Sequence, residues 1–253
     1  GYSYTLTRPR FRELASFLFF DFARRRAVSG NPDLARTRTQ NVDLRWEMFP
    51  EDQSVFAATA FYKHFRNPIE QVIFNAGQGD LSYANADAAR TFGLELEARG
   101  SLGWLWRPLC DLHPGMSLAL IRSEVDLGRD QAGLQTSRRR PLEGQSPYVL
   151  NMSVEWASHS AATEIGVHYN VSGPRIAEVG FDRLPDVYEQ PLHRLDVSAS
   201  QRLGDGFRLK LAGTNLLNQS VVFRQGGRSV FQYGEGVVVL ASLEWSHEKQ
   251  KEE

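Results

Sequence analysis

The chain alternates. Over long stretches apolar residues recur at every second position with polar or small residues between them, the mark of extended strands whose two faces meet different surroundings. From Thr163 to Ser172, Ile165, Val167, Tyr169 and Val171 share one face, and Glu164, Gly166, His168, Asn170 and Ser172 share the other. Val42, Leu44, Trp46 and Met48 alternate in the same way with Asn41, Asp43, Arg45 and Glu47. Phe92, Leu94, Leu96 and Ala98 oppose Gly93, Glu95 and Glu97, while Tyr148, Leu150, Met152, Val154 and Trp156 oppose Val149, Asn151, Ser153 and Glu155. Leu195, Val197 and Ala199 begin the next strand, Phe207, Leu209 and Leu211 the one after, and Val237 to Trp245 the last. Weaker alternation over 1–7, 54–65 and 115–125 brings the expectation to about ten strands. Helical periodicity is absent apart from short turns in the connections, so the expected class is all-β.

The connections carry a second pattern. In order they are long (8–36), short (50–53), long (66–88), moderately short (104–114), long (126–146), short (157–161), long (173–190), very short (204–206) and long (218–236). Long and short take turns throughout. An antiparallel transmembrane β-barrel sorts its loops this way, with tight periplasmic turns at one rim and extended extracellular loops at the other. Gly204-Asp205-Gly206 suits a hairpin turn. With the C-terminus in the periplasm, every long loop falls outside the cell.

Composition narrows the picture further. Apolar residues make up 42% and charged residues 23%, which excludes a disordered chain. No stretch approaches eighteen consecutive apolar residues, so a transmembrane helix is not expected, whereas a barrel strand needs only about 9–11 alternating residues. A net charge of −1 gives no global field for nucleic acid, and no nucleic-acid partner is expected. Cys110 is the single cysteine and forms no internal disulfide. The chain opens in mid-alternation at Gly1-Tyr2-Ser3-Tyr4 with no initiator Met, as a fragment would, and the lack of a targeting segment says nothing about destination. The tail after Ser246 (247–253) is highly charged.

Catalytic signatures are missing. The six His form no HExxH pair or Cys/His cluster, and no nucleophile elbow occurs, so no enzyme activity, metal site or cofactor is expected. Glu95 and Glu97 share a strand face and read as lumen-facing polar residues rather than an acid/base pair, and His168 reads as water-facing. Two basic triplets, Arg24-Arg25-Arg26 and Arg138-Arg139-Arg140, fall in expected extracellular loops. Guanidinium forks suit an anionic ligand, lipopolysaccharide phosphates, or simple loop solubility. The last long loop mixes Phe223, Arg224, Arg228, Phe231 and Tyr233, a combination suited to a binding mouth. Trp46, Tyr148, Trp156 and Trp245 lie near strand ends, where aromatic rings favour the headgroup level and form an interfacial girdle.

Several segments resemble the TonB-dependent outer-membrane receptor family in family order: Arg8-Pro9-Arg10-Phe11-Arg12-Glu13-Leu14, Gly30-Asn31-Pro32-Asp33-Leu34 with Asn41-Val42-Asp43-Leu44, Phe61-Tyr62-Lys63 with Asn67-Pro68-Ile69, and Phe92-Gly93-Leu94-Glu95-Leu96-Glu97. Gly144-Gln145-Ser146-Pro147-Tyr148 and Asn215-Leu216-Leu217-Asn218 follow. The resemblance implies that residues 1–246 are the C-terminal part, about ten strands, of a 22-stranded barrel whose plug domain lies outside this chain. It also implies TonB-energised uptake of a scarce small molecule such as a ferric siderophore, cobalamin or saccharide. The expected partners are outer-membrane lipid, lipopolysaccharide and, through the N-terminal part, the TonB protein. The resemblance further implies a terminal aromatic, a role Trp245 fits. Two rivals remain open: a passive porin-like barrel, and a soluble all-β binding domain with the apolar parity packed into a dry core.

Overall fold

The computed structural model describes residues 1–246 apart from 22–25, 51–53, 76, 78, 104–105, 129–133, 159, 161 and 205. Ten long strands form the main sheet: β1 (Tyr2–Thr7), β2 (Thr37–Met48), β3 (Val55–Arg66), β4 (Ala88–Arg99), β5 (Leu112–Asp126), β6 (Tyr148–Ala157), β7 (Thr163–Ser172), β8 (Leu192–Gly204), β9 (Phe207–Thr214) and β10 (Val238–Trp245). They lie side by side in chain order, every neighbouring pair antiparallel. The sheet is an open wall, with β1 and β10 each paired on one side only. No helix among the described residues is long and apolar enough to cross a membrane.

Register turns the alternation of single strands into a surface. Residues directly opposite across a ladder share a face, and the pairs link Leu44, Ala60, Leu94, Leu120 and Tyr148 into one row. Neighbouring rows run Met48, Phe56, Ala98, Met116, Met152, Tyr169 and Leu195, and Leu112, Trp156, Ile165, Ala199, Leu211 and Ala241. Among the described residues no second layer covers this face: Leu44 and Val239 are each 75% exposed. The apolar parity is therefore not the inside of a sandwich, which disposes of the soluble-core rival. Because strands follow one another without crossover, the connections alternate between two rims. All the long ones emerge at one rim and the short ones at the other.

The opposite face is polar and cross-linked. Arg45 reaches Glu47 at 2.6 Å and Glu97 at 3.0 Å. Asn170 donates to Asn151 at 2.6 Å, Arg208 meets Glu164 at 3.2 Å and Lys210 meets Glu244 at 2.7 Å. His168 lies 3.0 Å from Glu155, both about half exposed, as expected of a water-facing pair.

The long connections depart from the sequence reading in one respect. Among the described residues they are not plain loops but fold into two four-stranded sheets above the long-loop rim. One combines Leu18–Asp21, Arg26–Ser29, Ile69–Asn75 and Asp80–Asn85 from the first two connections. The other combines Arg175–Glu178, Val187–Glu189, Val221–Gln225 and Arg228–Tyr233 from the last two. Between them lies a buried apolar cluster: Val28, Ile73, Leu81, Ile176 and Val179, flanked by Phe19, Tyr83, Phe181 and Tyr188. Residues from three different connections meet there, so hydrophobic burial ties the loops to one another.

The family-like segments act as turns and tethers. Asn215 and Asn218 hold φ of 54° and 47°, a region asparagine tolerates better than most residues. The Asn215 amide donates to Asp196 at 2.7 Å and its side chain to the Gly236 carbonyl at 2.7 Å, joining β8, β9 and the last connection. The Asn31 side chain reaches the Tyr83 carbonyl at 2.9 Å and accepts from the Asp33 amide at 3.0 Å, pinning the first connection to the second. At the other rim the β8–β9 turn needs its glycines, since Gly204 and Gly206 have φ of 108° and 83°. The charged tail 247–253 lies outside the described residues.

Candidate functional site

The two loop sheets enclose a cavity of about 1030 Å³ above the wall. Its floor and one side come from Ile69–Gln71 and Arg175–Glu178, and the facing side comes from the Val221–Gln225/Arg228–Tyr233 hairpin. That hairpin builds an aromatic cluster: the Phe223 and Phe231 rings lie 5.7 Å apart, Phe231 and Tyr233 5.7 Å, and Phe223 stacks on Tyr233 at 6.4 Å. Strand alternation puts 221, 223 and 225 on one side, and the register sets Phe223 opposite Phe231. Phe231 stays 53% exposed and Tyr233 44%, so both rings are open to an incoming ligand.

Charges line the rest of the cavity. Arg175 grips Glu189 with two hydrogen bonds of 3.0 and 2.9 Å, and Arg26 lies 3.4 Å from Glu178 and over the Phe181 ring at 5.1 Å. Glu70, only 7% exposed, meets Arg140 at 2.8 Å. Burial pushes the Glu70 carboxyl above the usual carboxylate range, with Arg140 pulling the other way. Five glutamates (Glu13, Glu70, Glu143, Glu178, Glu189) line the cavity against two arginines (Arg26, Arg175), a formal excess of three negative charges.

The sequence-stated candidates divide among several places. Arg26, Phe223, Phe231 and Tyr233 come together in the cavity lining. Arg24 and Arg25 lie outside the described residues. Arg138 and Arg139 hold Asp126 at 3.2 and 2.9 Å at the end of β5, and Arg140 is buried against Glu70. Arg224 pairs across to Tyr188, and Arg228 sits exposed at the hairpin tip, neither of them lining the cavity. Each described member of the second arginine triplet is thus occupied by a carboxylate rather than held open for an anion. Arg175, Glu178, Glu189 and Glu70 were not singled out from sequence, because their partners lie in other connections.

All four aromatic candidates of the girdle stand on the apolar face of the wall, Trp46, Trp156 and Trp245 toward the short-turn rim and Tyr148 toward the long-loop rim. The structure adds Tyr2, Tyr62 and Phe92, joined with Val42 in one row near the long-loop rim. Their parity was legible in the sequence; their alignment was not. No group of three or more His, Cys, Asp or Glu suited to a metal ion occurs among the described residues.

Such a wall, with loops gathered over one rim, defines a β-barrel membrane protein, and comparison identifies the family. A family profile described as TonB dependent receptor-like, beta-barrel matches residues 1–216. The chain belongs to that family. Among solved structures it is similar to a mutant of the ferric enterobactin receptor PfeA of Pseudomonas aeruginosa in complex with enterobactin, at 17% identity and a TM-score of 0.66, covering 96% of this chain and 37% of that one. The FrpB iron transporter of Neisseria meningitidis matches at 15% identity and 0.59, over 84% of this chain and 31% of that one. The copper transporter OprC matches at 16% and 0.66, over 96% and 36%. The chain therefore spans about a third of the length of these structures, and at such identities the likeness shows the fold. A search of curated protein sequences finds no match. The family and these neighbours are receptors and transporters.

Proposed function

We propose that this chain is part of the wall and ligand-capturing mouth of an outer-membrane receptor that takes up a scarce small molecule with energy delivered through the TonB protein. The observation that carries the reading is the pairing of an uncovered apolar wall face with long connections that all rise from one rim and pack into a canopy over one cavity. The apolar face meets lipid, the polar face lines a wet lumen, and the canopy lies outside the cell. Ferric chelates head the candidate cargo, in keeping with the iron and enterobactin receptors among the neighbours. Family membership and the canopy favour energised capture over passive diffusion.

The test is growth of a strain lacking the gene for the intact receptor on a panel of ferric chelates, cobalamin and saccharides as limiting nutrients, with and without functional TonB. The expected outcome is loss of growth on one source, restored by the gene only when TonB is present. Uptake that persists without TonB would establish a passive pore instead.

A further inference from the structure

The cavity under the canopy carries much of its chemistry on one row of side chains. Across the second loop sheet Arg175 stands opposite Glu189, Glu189 opposite Phe223, and Phe223 opposite Phe231. All four line the cavity, and as direct cross-strand partners their Cβ atoms lie about 4.5–5.5 Å apart. Tyr233 extends the aromatic cluster, stacked on Phe223 at 6.4 Å. Open rings and a carboxylate are thus immediate neighbours on one wall. The space they face, about 1030 Å³, admits a chelate or another drug-sized molecule.

The arginines of the lining are already neutralised. Arg175 gives two hydrogen bonds to Glu189. Arg26 pairs with Glu178 and lies over the Phe181 ring, and its Nη1, which has no hydrogen-bond partner, is buried. Arg140 stands behind Glu70. Counting it, five glutamates meet three arginines among the described residues, which leaves two carboxylates in excess. An anion entering this space meets a wall of its own sign. A cation meets aromatic rings, whose faces are electron-rich, with a carboxylate in the adjoining strand position.

We propose that the cavity selects its cargo by a positively charged group, an ammonium carried on a flat or apolar body. Phe223, Phe231 and Tyr233 form the platform for the cation, and Glu178 and Glu189 supply the negative potential around it. The proposal rests on the receptor reading above and narrows its cargo. Among ferric chelates it favours those with a free amine over trianionic tris-catecholates, so the likeness to an enterobactin receptor reaches the fold and not the charge of the cargo.

The experiment is isothermal titration calorimetry on the intact receptor in mild detergent, with ferrioxamine B, its N-acetyl derivative and ferric enterobactin. The first two share one trihydroxamate chelate and differ by a single ammonium; the third is a trianion. Ferrioxamine B is expected to bind roughly tenfold more tightly than the acetylated chelate, the size of one cation–π contact in a partly dry site, and ferric enterobactin more weakly than either. High salt reduces the preference. Phe231→Leu, and separately the pair Glu178→Gln with Glu189→Gln, bring the ratio to within about threefold. The glutamine pair also releases Arg26 and Arg175 and so raises the affinity for ferric enterobactin. Arg228→Gln, at the exposed hairpin tip, leaves the ratio unchanged. Heat-modifiable gel mobility reports whether each variant barrel is folded. Equal or tighter binding of the acetylated or the trianionic chelate overturns the proposal, as does the lack of saturable binding of ferrioxamine B or a preference that survives the glutamine pair. TonB-dependent growth on ferric enterobactin alone would overturn it while leaving the receptor reading intact.

Discussion

Arg140→Ala is expected to loosen the canopy without disturbing the wall. Arg140 reaches from the third long connection to Glu70 in the second at 2.8 Å, with side chains 2% and 7% exposed. At that separation and an effective dielectric constant of about 20, the attraction is about 6 kcal/mol. Desolvation of the two ions costs several kcal/mol each and largely offsets it, so the intact pair adds little net stability. Removing one partner is different, because a carboxylate stays behind in a nearly dry site, and the loss is about 3–5 kcal/mol. Hydrogen–deuterium exchange on the intact receptor should therefore accelerate at least ~100-fold in peptides covering 69–85, while peptides within β4 and β7 keep their protection. The double variant Glu70→Gln, Arg140→Met should recover most of the loss, since neither residue then leaves a buried charge. Acid should also rescue the single variant. A carboxyl whose folded pKa is raised favours the fold below its unfolded value and loses that contribution as pH rises through the folded value. The Arg140→Ala penalty should thus shrink as pH falls toward the ordinary carboxylate range. An exchange change below about tenfold, or a double variant as loose as the single, would refute the latch.

Three further outcomes follow from the wall. Leu94→Arg, in the middle of the uncovered apolar row, should cost about 2–4 kcal/mol in unfolding titrations of the membrane-inserted receptor, whereas Glu95→Gln on the polar face changes stability little; equal effects would mean the faces are assigned the wrong way round. Gly93→Val should destabilise by about 1–3 kcal/mol in the same titration, because a Cβ there would stand 2.5 Å from the Leu120 carbonyl oxygen and 2.7 Å from the Phe61 ring; wild-type stability would show that the strands part without strain. Receptors retaining only Trp46, Trp156 or Trp245 should be quenched more by lipids brominated near the headgroup than by lipids brominated at the chain end, and the reverse depth order would remove those residues from the girdle.

How much was legible beforehand differs between wall and canopy. Leu44, Leu94 and Ile165 revealed their face by spacing alone, because a strand in a single-layer wall between oil and water repeats the same two environments at each residue pair. The alternation of long and short connections likewise follows from chain order, and it foretold that every excursion leaves by one rim. Even the glycines of 204–206 named their turn. The canopy left no comparable trace. Val28 packs with Leu81 and Ile176, and Glu70 with Arg140, across connections far apart in the chain, and such contacts impose no period on any one segment. The arginine triplets looked alike as strings, yet one member of the second is buried in an ion pair and two hold a strand-end carboxylate. Spacing along the chain reports what each strand faces; which residues from separate loops meet is set by long-range burial and charge pairing, and only the folded chain brings those partners within reach.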